Sequence, residues 1–103
     1  MPTVVAFLYP LPDKRDEVRA ALLETIPQVH DEPGCSLYSL HEAQDRFVFV
    51  ESWASGEALA EHAKAPAVTA MFGKVGPLLS QPPEIVVAEP IPSGDPAKGD
   101  LTH

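Results

Sequence analysis

The chain has 103 residues, 45% of them apolar and 21% charged, which sets a limit of one compact domain and describes a globular rather than a disordered or fibrous protein. Seven basic residues against 15 acidic ones give a formal charge of −8, so phosphate backbones and anionic lipid surfaces are repelled, and nucleic-acid binding and membrane association are excluded from the expected functions. A domain of this length hides roughly two-thirds of its unfolded surface, a thin core with little room for a deep pocket in a lone copy.

In chain order, Val4 to Tyr9 is rich in β-branched and aromatic residues and stops at Pro10 and Pro12, which predicts a first strand. It is too short for a signal core and has no basic residue before it, so a soluble, cytoplasmic protein is expected. Asp13 then reads as a helix N-cap, with Asp16 and Glu17 in the first turn, where negative charge is favoured. Val18, Leu22, Ile26 and Val29 follow at helical spacing. Pro27 removes the bond to the Leu23 carbonyl, so a kink or an end near Ile26 is expected. Asp31-Glu32-Pro33-Gly34 closes the element as a turn.

Two strands are predicted next, Cys35 to Glu42 and Arg46 to Ala54, joined by the polar spacer Ala43-Gln44-Asp45. In the second, Phe47, Phe49, Glu51 and Trp53 share one face and Val48, Val50 and Ser52 the other, so both faces are largely apolar. The first strand repeats that pattern. Helices can cover one face; the other is predicted to pack on the same face of a second copy in a two-fold homodimer. Tyr38 and His41 fall on opposite faces of their strand by simple alternation.

Ser55 is a good N-cap for a helix that carries Glu57, Leu59 and His62. Pro66 restarts the chain at a first-turn position, and Val68, Met71, Phe72, Val75 and Leu79 mark a further apolar stripe. Ile85 to Ala88 is the last predicted strand. The order strand, helix, strand, strand, helix, strand predicts an α+β, ferredoxin-like sandwich over residues 1–90 with an antiparallel sheet. Residues 91–103 are Pro/Gly-rich and polar, and are expected to form a flexible tail. Asp95, Lys98 and Asp100 give that tail a net −1, so −7 belongs to the folded part.

The single cysteine, Cys35, excludes an intramolecular disulfide or a Cys-based zinc site. It begins a strand with no basic neighbour to activate it, and reads as a small buried hydrophobe. No phosphate loop, dinucleotide fingerprint, serine elbow or metal-binding spacing is present, so no cofactor and no metal are expected. Glu51 on an apolar face needs a partner, with Arg46, His62 or a group of the other subunit as candidates. His62 is either a general base or a histidine held in a structural polar network. Trp53 is either a platform for a planar substrate or a core residue.

Glu32-Pro33-Gly34-Cys35, Glu51-x-Trp53, Ser55-x-Glu57-Ala58-Leu59, His62, Pro66 and Phe72 lie within EPGCSLYSLHEAQDRFVFVESWASGEALAEHAKAPAVTAMF, residues 32–72. This segment resembles the antibiotic biosynthesis monooxygenase family of dimeric α+β barrels, and the predicted element order agrees from residue 3 to about 89. The resemblance implies oxidation of quinol-like or polycyclic phenolic substrates by molecular oxygen without metal or flavin, in a cavity between sheet and helices. His62 would be its catalytic base, and Trp53, Glu51, Tyr38, Met71 and Phe72 would contact a small aromatic substrate. Two features depart from well-known members: Ala67 stands where many carry a histidine, and the chain contains no asparagine. A small-ligand-binding or stress-related dimer without turnover is therefore the alternative. Haem binding or degradation ranks below it, because only His62 is placed to serve as an axial ligand.

Overall fold

The computed structural model describes residues 1–101. Four strands, β1 (Thr3–Leu8), β2 (Cys35–Glu42), β3 (Phe47–Trp53) and β4 (Glu84–Ala88), form one antiparallel sheet in the order β2-β3-β1-β4. Three α-helices, α1 (Arg15–His30), α2 (Gly56–Lys64) and α3 (Pro66–Val75), complete the ferredoxin-like α+β fold expected from the sequence. Among the described residues no helix is long and apolar enough to cross a membrane.

The helix side of the sheet is the core. Val4, Ala6 and Leu8 of β1 and Phe47, Phe49, Glu51 and Trp53 of β3 are buried there in alternation with half-buried neighbours, apart from Ser52, which is buried on the opposite face. Taking Leu8, Phe47 and Phe49 out of water stabilises the fold by roughly 1.5–3 kcal/mol each. Residues on the opposite face, among them Val5, Phe7, Val48 and Val50, are half-buried with no helix over them.

Helix α1 departs from the sequence reading at both ends. Asp13 does not cap it; a short 3-10 turn over Pro12–Lys14 leads in, with Pro12 at its first position. The helix then runs through Pro27 to His30. Pro27, Leu23, Glu24 and Gln28 are all exposed, so the carbonyl freed by proline faces water, and the buried stripe of Val18, Ala21, Leu22, Thr25 and Val29 holds the helix together. Arg15 and Arg19 at its start clamp Glu42 at the end of β2 through contacts of 2.9 and 2.7 Å. Arg19 first and Arg15 second hold that carboxyl down at about 2.

Two local features set the site. In the turn before β2, Gly34 has φ +82°, and a Cβ there would lie 2.5 Å from the Ala58 Cβ of α2. Glycine is thus required by conformation and by contact, and the turn packs directly on α2. At the start of β2 the register shifts between Cys35, opposite Trp53, and Leu37, opposite Ser52. The extra residue brings Tyr38 opposite Glu51 on the helix side, while His41 lies opposite Val48 on the other.

Strand β4 is an exposed edge with Ile85 and Val87 on the helix side opposite Ala6 and Val4. Beyond it, the Asp95 carbonyl and carboxylate accept from Ala97, Lys98 and Gly99 in one local turn. The last two residues of the expected tail, 102 and 103, lie outside the described residues.

Candidate functional site

Ser55 starts α2 as the sequence predicts, its Oγ accepting from the Ala58 N–H at 3.1 Å. Seven residues on, His62 turns inward and is 8% exposed. It meets Glu51 and Trp53 of β3, Tyr38 of β2, and Glu32 of the turn after α1. Its Nδ1 lies 2.9 Å from Glu32 Oε1, and its Nε2 lies 3.8 Å from Glu51 Oε1. The imidazole overlies the Trp53 indole with ring centroids 4.3 Å apart and meets the Tyr38 ring edge-on at 5.5 Å.

Glu51 is satisfied from within the chain. Trp53 Nε1–H donates to its Oε1 at 3.0 Å, and His62 is its second neighbour. Arg46, a sequence candidate for that role, pairs instead with Asp45 and reaches the Tyr9 hydroxyl on the opposite side of the sheet. Burial pushes the Glu51 carboxyl above its ordinary value, and the indole N–H partly offsets the rise. Burial, together with the charges of Glu51 and Glu32, likewise makes the Tyr38 phenol harder to ionise. The Cys35 thiol is also shifted upward, first by burial and then by the same two carboxylates, the opposite of what a nucleophile needs.

Two concavities meet at His62. One is a cavity of about 270 Å³ between sheet and helices. Its floor is Val4, Ala6 and Leu8, its sides are Tyr38, Phe49 and Glu51, and Leu59, Val68, Met71 and Phe72 close it from α2 and α3. Ile85 and Val87, more than half exposed, form its mouth. The other is a groove of about 760 Å³ outside α2, lined by Glu32, Gly34, Ser55, Glu57, Glu61 and Lys64 among others. It is larger but open and charged. The smaller cavity is the more sheltered of the two, apolar and furnished with few polar groups, the usual form of a small-molecule site.

Of the residues singled out from the sequence, His62, Glu51, Tyr38, Met71 and Phe72 all line the cavity. Trp53 does not: it is fully buried beside His62, its N–H committed to Glu51, so it bears on the cavity through those two residues rather than by contact. Glu32 was absent from the sequence candidates, although it begins the Glu-Pro-Gly turn. The signal for it is indirect. Gly34 packs on Ala58, and Ala58 and His62 are one helical turn apart, which brings Glu32 alongside the imidazole. Among the described residues no group of His, Cys, Asp or Glu side chains is arranged to hold a metal ion.

Residues 1–74 match the sequence model of the antibiotic biosynthesis monooxygenase family. Rv0793 of Mycobacterium tuberculosis, a protein with a provisional monooxygenase name, is 36% identical over 90 residues, covering 85% of this chain and 89% of that one. Its solved structure superposes with a TM-score of 0.84 over 91% of this chain and 98% of its own, at 32% identity. A structure from Caulobacter crescentus CB15, provisionally named an antibiotic biosynthesis monooxygenase, gives a TM-score of 0.82 at 28% identity, over 87% and 89% of the two chains.

Proposed function

The chain belongs to the antibiotic biosynthesis monooxygenase family, and on that premise we propose that it oxidises a small, electron-rich phenol or quinol with molecular oxygen, without metal or flavin, using His62 as the base. The observation that carries this reading is the apolar cavity between sheet and helices with His62 and Glu51 in its wall. A benzene-sized ligand occupies a cavity of about 150 Å³, so about 270 Å³ suits one or two fused rings rather than a larger polycycle.

The chemistry follows from the substrate. A phenol passes an electron to oxygen poorly, and a phenolate passes one readily. His62 takes the phenolic proton at Nε2, and the apolar walls hold the ring and keep water away. One ring carbon gains an oxygen atom and becomes a carbonyl, the other oxygen atom leaves as water, and the substrate supplies all four electrons. Tyr38, kept protonated by burial, is a neutral donor on the cavity wall. Met71 and Phe72 set the space opposite β1.

The half-buried apolar face formed by Val5, Phe7, Val48 and Val50 supports a homodimer in which two sheets meet face to face. Such packing leaves each cavity on the helix side of its own subunit.

Oxygen uptake by metal-free, flavin-free protein with a panel of benzoquinols, naphthoquinols and anthrone-like phenols tests the function. Uptake that falls by about 10² or more in His62→Ala is the expected result. Uptake retained in His62→Ala removes His62 as the base. Tight binding of a panel member, read by Trp53 fluorescence, with no uptake by any of them overturns the oxygenase and leaves a ligand-binding dimer.

A further inference from the structure

His62 stands in the wall between the two concavities and lines both. Its ring nitrogens face different carboxylates, and the two contacts are unequal. The 2.9 Å from Nδ1 to Glu32 Oε1 is a hydrogen bond; the 3.8 Å from Nε2 to Glu51 Oε1 is not. A neutral imidazole carries one N–H, and an ionised carboxylate can only accept. With the short contact at Nδ1, the proton belongs there. The Nε2 lone pair is then left on the side of Glu51 and the cavity.

We propose that Glu32 is the positioning residue of His62: by accepting from Nδ1–H it fixes the tautomer that presents an unprotonated Nε2 to a phenol in the cavity. Glu32 never touches the substrate. In the step it supports, the phenolic O–H bond breaks, an Nε2–H bond forms, and the phenolate keeps the electron pair. The ring becomes an imidazolium whose Nδ1–H still donates to Glu32. Glu32 Oε2 is buried without a hydrogen-bond partner, and a carboxylate kept that way is costly unless a cation stands beside it. The Nδ1–H···Oε1 hydrogen bond becomes charge-assisted on both sides when the ring turns into the imidazolium, and so strengthens in this step.

The other titratable groups around the imidazole leave this role to Glu32. Cys35 and Tyr38 of β2 hold their protons more tightly than usual, and Glu51 of β3 is shifted toward its neutral form. On α2, Lys64 lies 3.7 Å from Glu61 on the groove side. From α3, Met71 and Phe72 bring no charge.

The kinetic part of this proposal rests on the oxygenase reading; the tautomer does not. The test is long-range 1H–15N spectroscopy of the imidazoles in the full-length protein, with the His62 signal assigned by its loss in His62→Gln. At a pH where the spectrum itself reports a neutral ring, wild type is expected as Nδ1–H. Glu32→Gln moves it to Nε2–H or a mixture, because an amide can donate to Nδ1. Glu32→Asp keeps the wild-type tautomer. In oxygen uptake, Glu32→Gln lowers kcat on the order of 10²-fold with KM nearly unchanged, and Glu32→Asp recovers most of the rate. A wild-type ring found as Nε2–H overturns the proposal at once, whatever the variants do. Uptake that depends on His62 while Glu32→Gln alters neither tautomer nor kcat overturns it alone. A tautomer that switches in Glu32→Gln while no phenol is oxidised upholds the positioning role and removes the oxygenase reading instead.

Discussion

Trp53 and His62 converge on one atom: the indole N–H donates to Glu51 Oε1 at 3.0 Å, and His62 Nε2 approaches the same oxygen to 3.8 Å while the two rings overlie each other. The core tryptophan thus acts on the cavity at one remove. It holds Glu51 in a fixed direction, and Glu51 in turn determines the charge that Nε2 meets. Glu32 does the same on the far side of the ring, so the histidine sits between two carboxylates that face different solvent environments.

The Glu51 carboxyl is shifted above its ordinary value of 4.5, chiefly by burial. The folded state therefore binds that proton more tightly than the unfolded chain. Its contribution to stability is intact below about 4.5 and is lost as pH rises through the shifted value. Glu51→Gln keeps an acceptor for the Trp53 N–H and cannot ionise. Its melting temperature is expected to match wild type near pH 4 and to exceed it at pH 8. Each kcal/mol gained reads as roughly 4–8 °C in a domain of this size. A variant less stable than wild type at pH 8 would mean that pairing with His62 outweighs burial.

Gly34 links the Glu32 turn to α2. Gly34→Ala forces a Cβ to within 2.5 Å of the Ala58 Cβ at φ +82°. About 1–2 kcal/mol for the left-handed conformation and about 1–3 for overpacking predict a loss of roughly 2–5 kcal/mol in denaturant unfolding. Adding Ala58→Gly removes the overpacking but leaves the conformational strain, and glycine in a helix adds a further cost of about 0.5–1 kcal/mol. Partial recovery in the double variant is the expected outcome; no recovery would show that the contact is not what requires glycine.

The strands, the Ser55 cap and the placing of His62 on the helix that Ser55 starts were all legible from alternation and capping chemistry. What escaped the sequence depends on contacts between distant segments. Pro27 reads as a helix end because a proline in a helix removes a hydrogen bond, yet whether the freed carbonyl meets water depends on which side of α1 faces the sheet. Tyr38 reaches the cavity only because of the register shift after Cys35, which strict alternation does not contain. Arg46 is different: it precedes β3 and has the parity of Val48 and Val50, so alternation alone already sets it on the side away from Glu51. Glu32 was visible as part of a turn, and its partner emerges only when Gly34 meets Ala58.

The apolar face opposite the helices predicts self-association. Val50, half-buried in the middle of β3 between β1 and β2, is not part of the wall of the cavity beside His62. Val50→Asp places a charge at the centre of that face. Wild type is expected to sediment as a dimer at micromolar concentration and Val50→Asp as a monomer with its helix content retained. A wild-type monomer would remove the face-to-face arrangement.

Met71 separates the cavity from the groove between α1 and α3, and it is 3% exposed. Met71→Ala is expected to destabilise the protein by about 2–5 kcal/mol, as large-to-small core changes do, and to lengthen the cavity by the space of the lost side chain. If the substrate lies against Met71, the change acts unequally on ligands of different size. Two-ring quinols lose contacts and bind more weakly, whereas three-ring phenols, which crowd the wild-type cavity, gain room. The ratio of kcat/KM for a three-ring over a two-ring phenol should then rise by about tenfold, the worth of roughly 1.4 kcal/mol of relieved overlap. Val68→Ala, which trims the same helix face by less, should move the ratio the same way by a smaller factor. Equal losses for both substrates in both variants would place the reacting ring elsewhere than between β1 and α3.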